Sequence, residues 1–251
     1  MKIARSIVVW LGFALLALGS ITDAGANSLT IDYFTIDPSD PDINHLCCGD
    51  YNNQVLNSLG PNGLPVLNLS YGGPAIQDVL PSTHELTWWS PAFNSHVHAT
   101  GSTTVTLPFD VQSNFFPPNG TGSSDANGYQ SAVLSGALFA PTTELISFAI
   151  GADDSAFAYL DGQVVCDLGG VHAFSNGTCV TPFNISAGPH TVQVFFDDLN
   201  AVQSGLYFDV STQGVTTNPT SPVPEPETYA MLFAGLGLLG FFARRRKQNA
   251  A

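Results

Sequence analysis

Asp153-Asp154 is the stretch of this chain with the most chemistry to offer. Two adjacent carboxylates at the end of an alternating apolar run repel one another unless solvent or a cation separates them. Calcium takes roughly 6–8 oxygen ligands, typically carboxylates and carbonyls from flexible loops. Asp197, Asp198 and Asn200 form a second oxygen-rich group just after another apolar run, and they complete such a shell if the two loops lie side by side. The competing reading is a pair of solvated acidic turns. His172 either touches a ligand or steadies the turn at Gly169-Gly170. His96 and His98 share a face if they lie on a strand, a spacing that suits zinc or copper. No third ligand stands near them in sequence, so they read as a solvated face. Trp88-Trp89 offers a surface for stacking on sugar rings, with at most one ring exposed, since strand neighbours point in opposite directions.

Hydrolysis of a glycosidic bond also uses two carboxyl groups, but they must flank the bond from opposite sides. Adjacent aspartates are poorly placed for that. The chain carries no Ser-His-Asp motif, no phosphate-cradling glycine loop and no closed metal motif. The expectation is a binding or structural protein, not an enzyme.

The elements that position these residues read as β-strands. Val105, Leu107, Phe109 and Val111 alternate, as do Ile146, Phe148 and Ile150; Val192, Val194 and Phe196; and Leu206, Phe208 and Val210. Period two with one apolar face marks half-buried strands. Asp161-Gly162 between SAFAYL and QVVC is a hairpin turn signal. Glycine, proline, asparagine and serine punctuate the rest, and no helical period appears inside the central region. A β-sandwich follows over residues 27–210. The segment 211–222 reads as a Thr/Ser/Pro linker.

Charge is distributed unusually. Six Lys and Arg occur in 251 residues, and none lies between Asn27 and Pro222, where 17 of the 20 acidic residues and all six histidines are found. Conventional salt bridges are therefore absent from that region, and its acids are balanced only by histidine, divalent cations or solvent. Such a surface repels phosphates, which excludes nucleic acid as a partner. Four cysteines fit an oxidising compartment. A bridge from Cys166 to Cys179 would close the intervening loop, with Cys47-Cys48 left as a vicinal pair or cross-paired.

The two ends account for the basic residues. Residues 1–26 have a basic start at Lys2 and Arg5, an apolar run from Ile7 to Leu18 and the small-residue site Ala24-Gly25-Ala26, the pattern of a secretory signal peptide. Near the C-terminus an apolar stretch over 228–243 precedes Arg244, Arg245, Arg246 and Lys247. Its core from Tyr229 to Ala243 spans roughly 22 Å as a helix at ~1.5 Å per residue, and a basic block after it fits a positive-inside membrane anchor.

Pro224-Glu225-Pro226, the apolar stretch and the arginine block together resemble the PEP-CTERM sorting signal of Gram-negative, polysaccharide-secreting bacteria, here over 223–247 with its motif at 223–226. That resemblance implies recognition by an exosortase, removal of the helix and a transient inner-membrane anchor. The mature protein would then sit at the cell surface or in the extracellular matrix. Residues 148–172, FAIGADDSAFAYLDGQVVCDLGGVH, resemble the fibro-slime family, above all in the closing Asp167–His172. The family is related to the β-sandwich of anthrax protective antigen and of yeast cell-wall adhesins. The likeness implies carbohydrate binding through a calcium ion held by adjacent aspartates, here Asp153 and Asp154. This chain has Ala152 where the family places a further acid. The resulting expectation is an exported protein that binds exopolysaccharide through a calcium-supported loop. The alternative is a structural surface-coat or matrix protein with no specific sugar ligand.

Overall fold

The computed structural model describes residues 28–46, 48–115, 129–177, 182–200, 203–211 and 216–219. The segment read as a signal peptide, the sorting signal with Pro224, Glu225, Pro226 and Arg244–Arg246, and Cys47 and Cys179 lie outside them. The described residues are all-β, in two facing antiparallel sheets. β1 (Ser28–Ile36), β2 (Val97–Thr106), β4 (Tyr129–Ala140), β6 (Ser155–Leu160), β7 (Gln163–Leu168) and β10 (Gly188–Asp198) form one sheet with β12 (Thr216–Pro219). Its order is β2-β1-β4-β10-β6-β7, and β12 adds to β4 beyond the end of β1. The second sheet runs β3-β11-β5-β8, from β3 (Phe109–Val111), β11 (Gly205–Ser211), β5 (Glu144–Asp153) and β8 (Ser175–Gly177), with β9 (Phe183–Ile185) also on β5.

The alternating residues face one another between the sheets. Ile146, Phe148 and Ile150 of β5 and Leu206 and Phe208 of β11 meet Val192, Val194 and Phe196 of β10 and Leu29 and Ile31 of β1. Burying each such side chain contributes ~1.5–3 kcal/mol. The run from Val105 to Val111 is two strands: β2 ends in the larger sheet, a Leu107–Pro108 step intervenes, and β3 begins in the smaller one. Asp161 and Gly162 form the β6–β7 turn with φ of 50° and 72°, the left-handed pair a two-residue hairpin requires. Thr216–Pro219, within the segment read as a linker, pairs with β4.

Sequence periodicity gave no sign of a third layer. Residues 37–96 have almost no regular strands, yet they cover the outer face of the larger sheet. Ile43, Leu46, Val55, Leu64, Leu67, Ile76 and Leu86 pack there against Ile36, Val97, Phe157, Tyr159 and Phe195. All six residues of β6 are buried for this reason, with Ala156, Ala158 and Leu160 facing the inter-sheet core and Phe157 and Tyr159 facing the cover. Trp88 and Trp89 are both sealed into this second core, so neither is available to stack on a sugar. Trp88 Nε1 donates to Asp42 Oδ2 at 3.1 Å, and Trp89 Nε1 donates to the Phe196 carbonyl at 2.6 Å. They lie outside any strand, so the alternation that would have separated them does not apply.

The Asp167–His172 segment joins the cover to the sheet. Tyr51 N–H donates to the Gly169 carbonyl at 2.7 Å, Gly49 N–H to that of Val171 at 2.9 Å, and Val55 N–H to Asp167 Oδ2 at 2.9 Å. Gly170 has φ +101°, and a Cβ there would lie 1.9 Å from the Gly49 carbonyl oxygen. Two glycines are needed because the cover backbone lies directly on them.

Candidate functional site

The chain crosses from the smaller sheet to the larger at Asp153–Asp154, where β5 ends and β6 begins. The peptide bond between these two residues is cis. The end of β10 and the segment after β7 reach the same corner. Together they line an open pocket of about 230 Å³ bounded by Cys48, Asp153, Asp154, Val171, His172, Ala173, Asn200 and Gln203. Four of the residues singled out in the sequence, Asp153, Asp154, His172 and Asn200, are thus brought together. Cys48 was marked only as a disulfide candidate, and Val171, Ala173 and Gln203 carry no chemical signal that would have marked them.

Asp154 is 2% exposed, and its Oδ2 accepts from Leu199 N–H at 2.8 Å and Asn200 N–H at 3.0 Å. Its own N–H donates to the Asp197 carbonyl at 3.2 Å. The carboxylate therefore fixes the β10–β11 loop against the β5–β6 corner. Burial pushes the Asp153 carboxyl up, while Phe174 N–H and His172 pull it down. His172 Nδ1 bonds the Ala173 carbonyl at 3.0 Å, so it steadies its own turn and also lines the pocket.

Asp197 and Asp198 do not line the pocket. Asp197 is fully enclosed behind it, opposite Ser155 in β6, and neither of its carboxylate oxygens has a hydrogen-bond partner. Burial first, and Asp154 second, hold its carboxyl well above the ordinary range; Ser155 opposes them without closing to hydrogen-bond geometry. Its surroundings accordingly favour the protonated form of Asp197 over the charged one. Asp198, one residue on, faces the other side of β10 and is fully buried opposite Gln130.

The cover layer holds a further acidic group that the sequence reading did not single out, Asp40, Asp42 and Asp78, with carboxylate oxygens within 4.8 Å of one another. Asp42 accepts from Gln77 N–H, Asp78 N–H and Trp88 Nε1; Asp40 accepts from Asp42 N–H and Asn94 Nδ2. Burial, then a hydrogen bond with Asp40, pushes Asp78 up to about 9. With a proton on Asp78 the group is a hydrogen-bonded knot that ties residues 40–42 to 77–78. Glu85 is a second such tie. Neither Cys48 nor Cys166 is a free thiol, but the pairing of Cys166 with Cys179 lies outside the described residues.

The donors at the pocket suit a hard divalent cation. Asp153, Asp154 and Asn200 supply oxygen, and no Lys or Arg stands anywhere between Asn27 and Pro222 to compete.

Residues 222–247 match the PEP-CTERM protein-sorting motif. The fold and that motif define the class: a β-sandwich on an exported chain that is membrane-anchored before processing and carries a C-terminal transmembrane segment. No curated protein matches the chain. Among solved structures, the chain is similar to the epithelial adhesin 9 A domain from Candida glabrata in complex with Galb1-4GlcNAc. Identity there is 14% over 75% of this chain and 84% of that one, with a TM-score of 0.35. It is likewise similar to the PA14 domain of the MpAFP antifreeze protein, at 13% identity over 78% and 93% of the two chains and a TM-score of 0.35. Against the beta-glucosidase from Kluyveromyces marxianus identity is 14% over 35% of this chain, with a TM-score of 0.27. The chain spans only 12–15% of the length of that enzyme.

Proposed function

We propose that this protein is a non-enzymatic binding module that holds exopolysaccharide through a calcium-supported pocket at the Asp153–Asp154 corner. Export and exosortase processing deliver it to the surface or extracellular matrix of a Gram-negative cell, and a Cys166–Cys179 bridge braces the loop after β7. One observation carries the reading. The adjacent pair Asp153-Asp154 and the sequence-distant Asn200 converge on one open pocket in a domain without a basic side chain other than histidine. Calcium bound there would offer open coordination positions to vicinal sugar hydroxyls. Asp153 and Asn200 supply side-chain oxygens, Asp154 anchors the facing loop, and His172 walls one side. Asp197 is fully enclosed and does not line the pocket, so it is not among the ligands.

The test is thermal unfolding of the full chain in detergent with EDTA and across a calcium titration, beside the double variant Asp153→Ala/Asp154→Ala. A cation that binds only the folded state adds ~2.7 kcal/mol at a hundred times its dissociation constant. For a domain of this size that raises Tm by roughly 5–10 °C. Wild-type protein should also retain the polysaccharide of a producing strain in a calcium-dependent manner. A flat Tm in both proteins would remove calcium from the account. Retention indifferent to EDTA and to the double variant would favour a structural coat protein instead.

A further inference from the structure

His96 and His98 lack a third ligand only along the sequence. In the fold, Asp37 supplies one. β1 and β2 pair with Ile36 opposite Val97 and Thr35 opposite His98, and Asp37 N–H continues the ladder to the His96 carbonyl at 2.9 Å. Asp37 is therefore the cross-strand neighbour of His96 and lies diagonally from His98, all on one face. Ile36 and Val97, between them, point the other way into the second core. The three side chains converge on one oxygen: Asp37 Oδ2 is 3.2 Å from His98 Nε2 and 4.0 Å from His96 Nδ1. Ser39 Oγ stands 3.4 Å from that same His96 nitrogen.

We propose that Asp37, His96 and His98 form a binding site for a divalent transition metal of the zinc or copper class, separate from the pocket at Asp153–Asp154. Two imidazoles and one carboxylate are a donor set these metals prefer over calcium. Ligands on one tetrahedral zinc, with bonds of about 2.0–2.1 Å, lie roughly 3.3 Å apart. The 3.2 Å separation already meets that spacing; His96, at 4.0 Å from the carboxylate and further from the His98 ring, closes onto the same ion only by turning its exposed side chain. The side chains are 35–55% exposed at the edge of the larger sheet, so a hydrated ion reaches them, with water filling the remaining positions. The bland alternative is an exposed histidine–aspartate ion pair. His190–Asp161 at 2.6 Å is a histidine–aspartate pair with only one imidazole, its histidine side chain 10% exposed, which makes it an internal control.

The experiment is calorimetric titration of Zn²⁺ into the full chain, untagged and in detergent, with calcium in large excess to occupy oxygen sites. One zinc per chain should bind at micromolar concentration. His98→Ala and Asp37→Asn should each weaken it at least ~10-fold, the smaller loss seen when even a ligand-orienting partner is removed, while His190→Ala leaves it unchanged. Both test residues are exposed, and their metal-free melting curves verify folding. No zinc binding, or binding that survives either Asp37→Asn or His98→Ala, would overturn the three-ligand site.

Discussion

Gly170→Ala tests whether the Asp167–His172 segment serves as the seam between the cover layer and the sandwich. Two costs add. Holding a non-glycine residue in the positive-φ region costs about 1–2 kcal/mol. The new methyl would also stand 1.9 Å from the Gly49 carbonyl oxygen, and that oxygen must retreat by about 1.1 Å to reach even 3.0 Å. Retreat drags on the Gly49–Val171 and Tyr51–Gly169 hydrogen bonds, and overpacking of this kind costs about 1–3 kcal/mol. The total is about 2–5 kcal/mol. Gly162→Ala separates the two costs: Gly162 also has positive φ, at +72°, but a Cβ there meets nothing within 4 Å. Urea unfolding of the full chain in detergent should show Gly170→Ala less stable than Gly162→Ala by about 1–3 kcal/mol, the overpacking share alone. Equal losses would mean that the cover does not rest on Gly170, and the explanation of the paired glycines would fail.

Stability in EDTA should fall as pH rises from about 5 to 9, because groups that hold protons more tightly when folded lose that advantage as pH climbs through their folded pKa values. Asp78 at about 9, Asp167 at about 7, and Asp153 and Asp197 are all raised, chiefly by burial. His190 is raised too, since its bonds to Asp161 and Ser186 outweigh burial, and it acts in the same direction. Below about pH 4 the sign reverses: Glu85 and Asp161 are held low by hydrogen bonds that outweigh burial, so their contribution is lost as they protonate. Melting temperatures that are flat or rising between pH 5 and 9 would contradict this assignment. Glu85→Gln should cost about 2–3 kcal/mol at pH 7, because the fully buried carboxylate accepts from Asn62 N–H, Asn62 Nδ2, Leu64 N–H and Thr83 Oγ1, and an amide nitrogen confronts donors there. The variant should also lose part of the acid arm of the pH profile; a loss of stability with the acid arm intact would assign that arm elsewhere.

What could be read from sequence and what could not divides along one physical line. Side-chain alternation is local, so the residues of β5, β10 and β11 that face the inter-sheet core were legible, as was the Asp161-Gly162 turn. The Asp153–Asp154 corner was legible as chemistry because two adjacent acids end an apolar run in a domain with no Lys or Arg to balance them. The cover layer was not, since residues 37–96 bury their apolar side chains without a repeating period. Asp197 and Asp198 looked equivalent in the sequence, yet strand geometry gives them opposite faces.

The histidine site shows how far register governs the rest. Nothing in the 58 positions between Asp37 and His96 indicates that they meet. From Ser28 to Tyr33 the β1–β2 ladder keeps one register, with Tyr33 opposite Gly101; it then shifts, so that Phe34 faces Ala99. Thr100 is the extra residue, and its hydroxyl donates to the Tyr33 carbonyl at 3.0 Å. Had the first register continued, Asp37 would stand opposite Val97. Its carboxylate would then share a face with a side chain that is 1% exposed, and neither histidine would be its neighbour. One bulged threonine thus moves Asp37 out of the apolar layer and beside two imidazoles. A bulge of one residue leaves no periodic trace, and for that reason His96 and His98 read as a solvated face until the strands were paired.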